Sequence, residues 1–70
     1  MLRETVINNL RVGKCYFLKN FGETTSFMVL HKTEEDDFQI KDLLSLEIYS
    51  FSKLIIFGRG NDFELKEIGC

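Results

Sequence analysis

The sequence predicts a mainly β domain: a small antiparallel barrel of five short strands, with one short helix before the last strand. Three observations carry this. From Asp37 to Phe51, Phe38 and Ile40 alternate with Gln39 and Lys41, and beyond Asp42 the residues Leu44, Leu46 and Ile48 alternate with Ser45, Glu47 and Tyr49. Successive strand side chains point to opposite faces, so a period of two marks two half-buried strands. Leu43 falls on the parity of Ser45 and Glu47, which places a tight bend or bulge at Lys41-Asp42-Leu43. Turn residues punctuate the chain at short intervals, and apolar residues make up 44% of it, with seven Phe.

Taken in order, Leu2, Val6, Ile7 and Leu10 lie on one face of a helix, so residues 1–12 read as a short helix or an ordered arm ahead of a single domain over 13–70. Lys14 to Phe21 is aromatic with apolar residues on both parities, which suits a strand in a strongly bent sheet. Asn20-Phe21-Gly22-Glu23 supplies a turn, since Gly22 accepts a positive φ. Thr24 to Thr33 is the longest strand, with Phe27, Val29 and His31 on one parity and Met28 and Leu30 on the other; its length favours a strand shared between two sheets. Glu34-Glu35-Asp36-Asp37 reads as a solvated hairpin tip, because like charges repel and prefer water. The central Gly and the Glu at the twelfth position of a calcium loop are missing.

After Tyr49 the period changes. Phe51, Leu54, Ile55 and Gly58 take helical spacing, which predicts one to two turns over Ser52 to Phe57, capped by Ser50 or Ser52 and ended by Gly58 or Gly60. A strand over Leu54 to Phe57 is the competing reading. Ile56 and Phe57 are apolar as well, so this helix is either surrounded by protein or leaves an exposed patch. Phe63 and Leu65 alternate with Glu64 and Lys66 in a closing strand, and Ile68 to Cys70 reads as a frayed end. Five short strands with a helical turn before the last is the order of an SH3-like barrel, whose closure removes most free edges. An OB-like barrel and an α+β sheet with one covering helix follow in that order.

The elements Asn20-Phe21-Gly22-Glu23, Asp37-Phe38-x-x-Lys41-Asp42-Leu43, Leu46-Glu47-x-Tyr49 and Phe57-Gly58-x-Gly60-x-Asp62-Phe63 are similar to those of a family of very short bacterial proteins. The likeness spans about Gly13 to Ile68. It implies a stand-alone bacterial domain and carries no activity, ligand or site residue with it.

Composition narrows the function classes. At 70 residues the chain buries only roughly 60% of its extended surface, which leaves little room for a deep pocket. Nine basic against eleven acidic residues, a net charge of −2, lack the positive excess of a phosphate-backbone binder. No apolar run reaches a membrane span and no secretory leader precedes Val6, so the default compartment is the cytoplasm. Cys15 and Cys70 are too few and too far apart in sequence for a metal site or a disulfide framework, and are expected as free thiols.

Candidates for chemistry are sparse. His31 is the single histidine and has no second His or nearby Cys with which to form a nucleophile pair or metal set. Asp36 and Asp37 are adjacent, so on a strand they face opposite ways and cannot act as a dyad. Gly58-Arg59-Gly60 can present N–H groups to an anion, but helix termination explains the glycines. The expectation is therefore a non-enzymatic chain without cofactor or metal. The binding candidates are Tyr16, Phe21, Tyr49, Phe57 and Arg59, because aromatic and Arg side chains concentrate at interface centres. They point to a module that binds a protein, a peptide or a second copy of itself. The alternative is a nucleic-acid-binding barrel in which Tyr16 and Tyr49 stack bases while Lys14, Lys19 and Lys53 meet phosphates.

Overall fold

The computed structural model describes residues 10–70. Five antiparallel strands, β1 (Cys15–Asn20), β2 (Glu23–Lys32), β3 (Phe38–Asp42), β4 (Ile48–Ser50) and β5 (Glu64–Ile68), form one sheet in the order β4-β3-β2-β1-β5. A 3-10 helix (Phe51–Ile55) sits between β4 and β5. The first half of β2 pairs with β1 from Glu23 to Met28, and its second half pairs with β3 from Phe27 to Lys32. The long strand is thus shared between two neighbours within one open sheet, not between two sheets as its length and mixed parity suggest.

That core is Leu10, Tyr16, Leu18, Phe27, Val29, Phe38, Ile40 and Phe51, with Tyr49, Leu54, Ile55, Phe63 and Leu65 packed against it. Phe38 and Ile40 point inward, in agreement with the alternation in β3. His31, on the parity of Phe27 and Val29, does not follow them. The register shifts between Val29 and His31, and the extra residue turns the end of β2 out into solvent. There His31 meets Gln39, with 3.1 Å between His31 Nε2 and Gln39 Oε1.

The alternation beyond Asp42 misleads. Leu44, Leu46 and Ile48 are exposed, not an inward row. The chain turns instead, because the Asp42 carboxylate accepts hydrogen bonds from the N–H groups of Leu44 (2.8 Å) and Ser45 (3.0 Å). Leu46 then takes a φ of 65° and donates its N–H to the Asp42 carbonyl. Aspartate bonding the backbone two and three residues on is the usual chemistry of a turn, and it overrides the apolar rhythm. Leu44 is 95% exposed, so Leu44→Ser is expected to change stability by less than about 0.5 kcal/mol in urea unfolding; a larger loss would place this side chain in the core.

Other expectations are also corrected. The helical period after Tyr49 yields a 3-10 helix over Phe51–Ile55, and no strand forms over Leu54 to Phe57. Neither serine caps it: Ser50 makes no capping bond, and the Asp37 carboxylate instead accepts from Ser52 N–H (3.3 Å) and Ser52 Oγ (2.6 Å). Gly58 ends the element at φ 84°, donating to the Ile55 carbonyl at 2.9 Å. Of the proposed helix or arm over 1–12, residues 1–9 lie outside the described residues. Leu10 is buried in the core, and Val12 and Gly13 belong to a turn.

The cysteines are not free thiols. Cys15 and Cys70 form a disulfide with their Cα atoms 5.3 Å apart, although 55 positions separate them. Sequence distance is a poor guide because β5 returns antiparallel to β1 and sets Ile68 opposite Cys15. The expected frayed end is therefore a strand residue, Ile68, followed by a covalently tied Cys70.

Candidate binding groove

Two carboxamide bonds and two carboxylate bonds bring distant segments together at one end of β1. Phe21 and Gly22 make the two-residue β1–β2 turn with φ of 52° and 78°. Positive φ at both central residues matches the right-handed twist of a hairpin, but it is costly for a phenylalanine. The Asp62 carboxylate offsets that cost by accepting from Phe21 N–H (2.9 Å) and Gly22 N–H (2.7 Å). Asn20, buried, donates Nδ2–H to the Gly58 carbonyl (3.0 Å) and accepts from Gly60 N–H (2.8 Å). Gly60 lets the loop approach closely: a Cβ there would stand 2.9 Å from the Phe21 ring and would force that ring to shift. The Asn20-Phe21-Gly22 and Gly58-x-Gly60-x-Asp62 elements are thus two halves of one clasp.

The clasp shapes an open groove of about 520 Å³ between the β1–β2 hairpin and the segment that follows the 3-10 helix. Its floor is Leu18 and Leu54, its walls are Phe21, Ile56 and Phe57, and its rim carries Lys53 and Glu23. Phe57 is 86% exposed and Ile56 68%, so the apolar residues after the helix do leave a patch. Burying such rings against a partner is favourable by about 25 cal/mol per Å².

The five candidate residues part company. Phe21 and Phe57 share the groove. Arg59 is exposed nearby, with its guanidinium 5.3 Å from the Phe63 ring centroid. Tyr16, a binding candidate from an aromatic segment apolar on both parities, is instead a core residue stacked on Phe27 at 5.8 Å, and its hydroxyl accepts from Arg11 N–H at 2.8 Å. Tyr49, expected on the solvent side of its strand, is half-buried and donates its hydroxyl to Asp42 at 3.2 Å. Of the other lining residues, the sequence singles out Lys53 only as a phosphate contact and Leu54 and Ile56 only as apolar residues of the helical segment, and it does not single out Leu18. The signal available was the unbroken apolar run Leu54 to Phe57, longer than one helical face can bury.

Electrostatics here is structural. Backbone N–H donors, that of Gly22 foremost, hold the Asp62 carboxyl below the ordinary Asp range, and the Ser45 N–H does the same for Asp42. Burial, followed by the Asp42 charge, raises the Tyr49 hydroxyl. At the other end of β1, Arg11 pairs with Glu67 at 2.8 Å and lowers that carboxyl. Among the described residues no three His, Cys, Asp or Glu side chains gather to hold a metal ion, and no helix is long and apolar enough to cross a membrane.

The lowered carboxyls set a pH dependence. Asp42 and Asp62 bind protons less readily folded than unfolded, so their contribution is fully present above the ordinary carboxylate range near pH 4 and is lost as pH falls through and below it. Urea midpoints measured from pH 7 to pH 3 are expected to fall at the acid end, and less steeply in Asp62→Asn. An equal slope in the variant would remove Asp62 from the clasp.

No protein-family model, curated protein or solved structure matches the chain.

Proposed function

We propose that this chain is an SH3-like barrel serving as a non-catalytic interaction module, which takes an apolar protein segment into the groove walled by Phe21, Ile56 and Phe57. The fold reading is supported by the strand order β4-β3-β2-β1-β5, by a second strand shared between two pairings, and by a helical turn before the last strand. The observation that carries the function is the groove itself: three large apolar side chains stand in solvent beside a completed core, held there by the Asn20 and Asp62 bonds. Contiguous exposed apolar surface rimmed by polar residues marks an interaction site.

The dye 1-anilinonaphthalene-8-sulfonate is expected to fluoresce on the dilute folded chain and to lose that signal in Phe57→Ser. Phe57 is exposed, so the variant's unfolding free energy in urea should stay within about 0.5 kcal/mol of the parent. No enhancement, or one unaffected by the substitution, would overturn the groove. The nucleic-acid alternative asks Tyr16 and Tyr49 to stack bases, whereas one ring lies in the core and the other is tied to Asp42. Salt-weakened binding of a single-stranded oligonucleotide would replace the present reading.

Location follows redox state. Disulfides persist in oxidising compartments and cytosolic thiols are kept reduced, so the Cys15–Cys70 bridge opposes the cytoplasmic expectation. Counting free thiols after alkylation in intact cells decides between the two.

A further inference from the structure

We infer that the Cys15–Cys70 bridge is a redox latch on the groove, and that thiol exchange at Cys70 frees β5 and with it the Asp62 carboxylate that holds the Phe21-Gly22 turn. The inference rests on the reading of the groove as a binding site, and adds its regulation. The last strand is an annex to the core. Every buried side chain among the described residues lies between Leu10 and Phe51, and β5 supplies none. Phe63 and Leu65 only pack against the cluster from outside. β5 is an edge strand with β1 as its single neighbour. Its other ties are the Arg11–Glu67 ion pair, the Tyr16 hydroxyl 3.4 Å from Glu67 Oε1, and the Lys66 ammonium 5.5 Å from the Phe17 ring centroid. Charged contacts at an exposed edge contribute little, so without the bridge this strand opens at lower cost than the sheet it borders.

The bridge is open to attack from one side. Cys15 is 1% exposed, whereas Cys70 stands in solvent two positions beyond β5. A thiolate of a dithiol therefore attacks Cys70 Sγ; the S–S bond breaks, and Cys15 Sγ leaves with the electron pair and takes a proton. The second thiol of the reagent then attacks the mixed disulfide and releases Cys70 as a thiol. The dithiol becomes a disulfide and the bridge becomes two thiols, a transfer of two electrons. β5 carries the effect to the groove. Cys15 lies opposite Ile68 at one end of the β1–β5 ladder, and Lys19 lies opposite Glu64 at the other. Asp62 stands two residues before Glu64 and accepts from the Phe21 and Gly22 N–H groups. When the ladder opens, that carboxylate is no longer fixed at the turn, and Phe21 at φ 52° loses the bonds that offset its strained backbone. Phe21 is a wall of the groove, so the groove loses its shape.

Residue-resolved amide hydrogen exchange on the full chain, oxidised and in dithiothreitol, tests this. The N–H groups of β5, Phe21 and Gly22 are expected to exchange roughly tenfold or more faster on reduction, with the β2–β3 ladder changed far less. Equal acceleration throughout the sheet, unfolding on reduction, or no change at Phe21 and Gly22 would overturn the latch. With glutathione, a monothiol, the first intermediate can be trapped by acid; mass spectrometry is expected to find the adduct on Cys70, and an adduct on Cys15 would overturn the order of attack. The difference in dye fluorescence between the parent chain and Phe57→Ser is expected to shrink on reduction. A difference equal in both redox states overturns the latch and keeps the groove, whereas the expected exchange pattern without any dye signal keeps the latch and removes the groove.

Discussion

Phe27→Ala is expected to lower the unfolding free energy by about 3–5 kcal/mol. Its ring is fully buried, 5.8 Å from that of Tyr16 on β1 and 5.7 Å from that of Phe51 on the 3-10 helix. It therefore joins β1, β2 and the helix at one point, and truncation leaves a cavity that three separate elements would have to close. Small domains hold about 5–15 kcal/mol in all, so the loss is a large share of the total. Urea unfolding followed by circular dichroism measures the loss. A cost under about 1 kcal/mol would put this ring outside the core and undo the register of β2 with both neighbours.

Reduction of the Cys15–Cys70 bridge is expected to cost about 4 kcal/mol, the chain-entropy value for a closed loop spanning 55 positions. The bridge joins the start of β1 to the end of the chain, so it restricts nearly every described residue in the unfolded state. Its loss should also loosen the last strand, since β5 is an edge strand paired with β1 alone and the bridge ties the residue two beyond it back to β1. Unfolding with and without a dithiol reductant, and of Cys15→Ala/Cys70→Ala, gives the number. Two titratable thiols in air-oxidised protein, or identical midpoints, would remove the bridge from the account of stability. Phe27→Ala under reducing conditions combines both losses and is expected to be the least stable of these forms.

Much of the architecture was readable before any coordinates. The Phe21-Gly22 turn, the acidic tip between β2 and β3, the inward Phe38 and Ile40, and the helical turn closed by Gly58 all follow from local chemistry: φ freedom, charge repulsion and side-chain period. That at least some of Tyr16, Phe21 and Phe57 stand in solvent was also legible, because their segments are apolar on both parities; which of them do, Phe21 and Phe57, was not. What misled was a rhythm without a strand beneath it. Leu44, Leu46 and Ile48 alternate correctly, yet Asp42 turns the chain at their start and leaves them in water. Conversely, Tyr16 and Tyr49 were read as binding residues because a strand's parity does not say which hydroxyl finds a partner, here the Arg11 N–H and the Asp42 carboxylate.

By itself the sequence determined that the chain is mainly β, where the Phe21-Gly22 turn and the acidic tip lie, and that a helical turn precedes the last strand, since each depends on residues within a few positions of one another. Only the tertiary structure decided that Asn20 and Asp62 clasp the far loop, that Cys15 meets Cys70, and that Ile56 and Phe57 wall a groove with Phe21. The physical reason is one of range. Turn and strand propensities are set by neighbours along the chain, whereas these contacts require β5 to fold back antiparallel on β1, a pairing that no local pattern encodes.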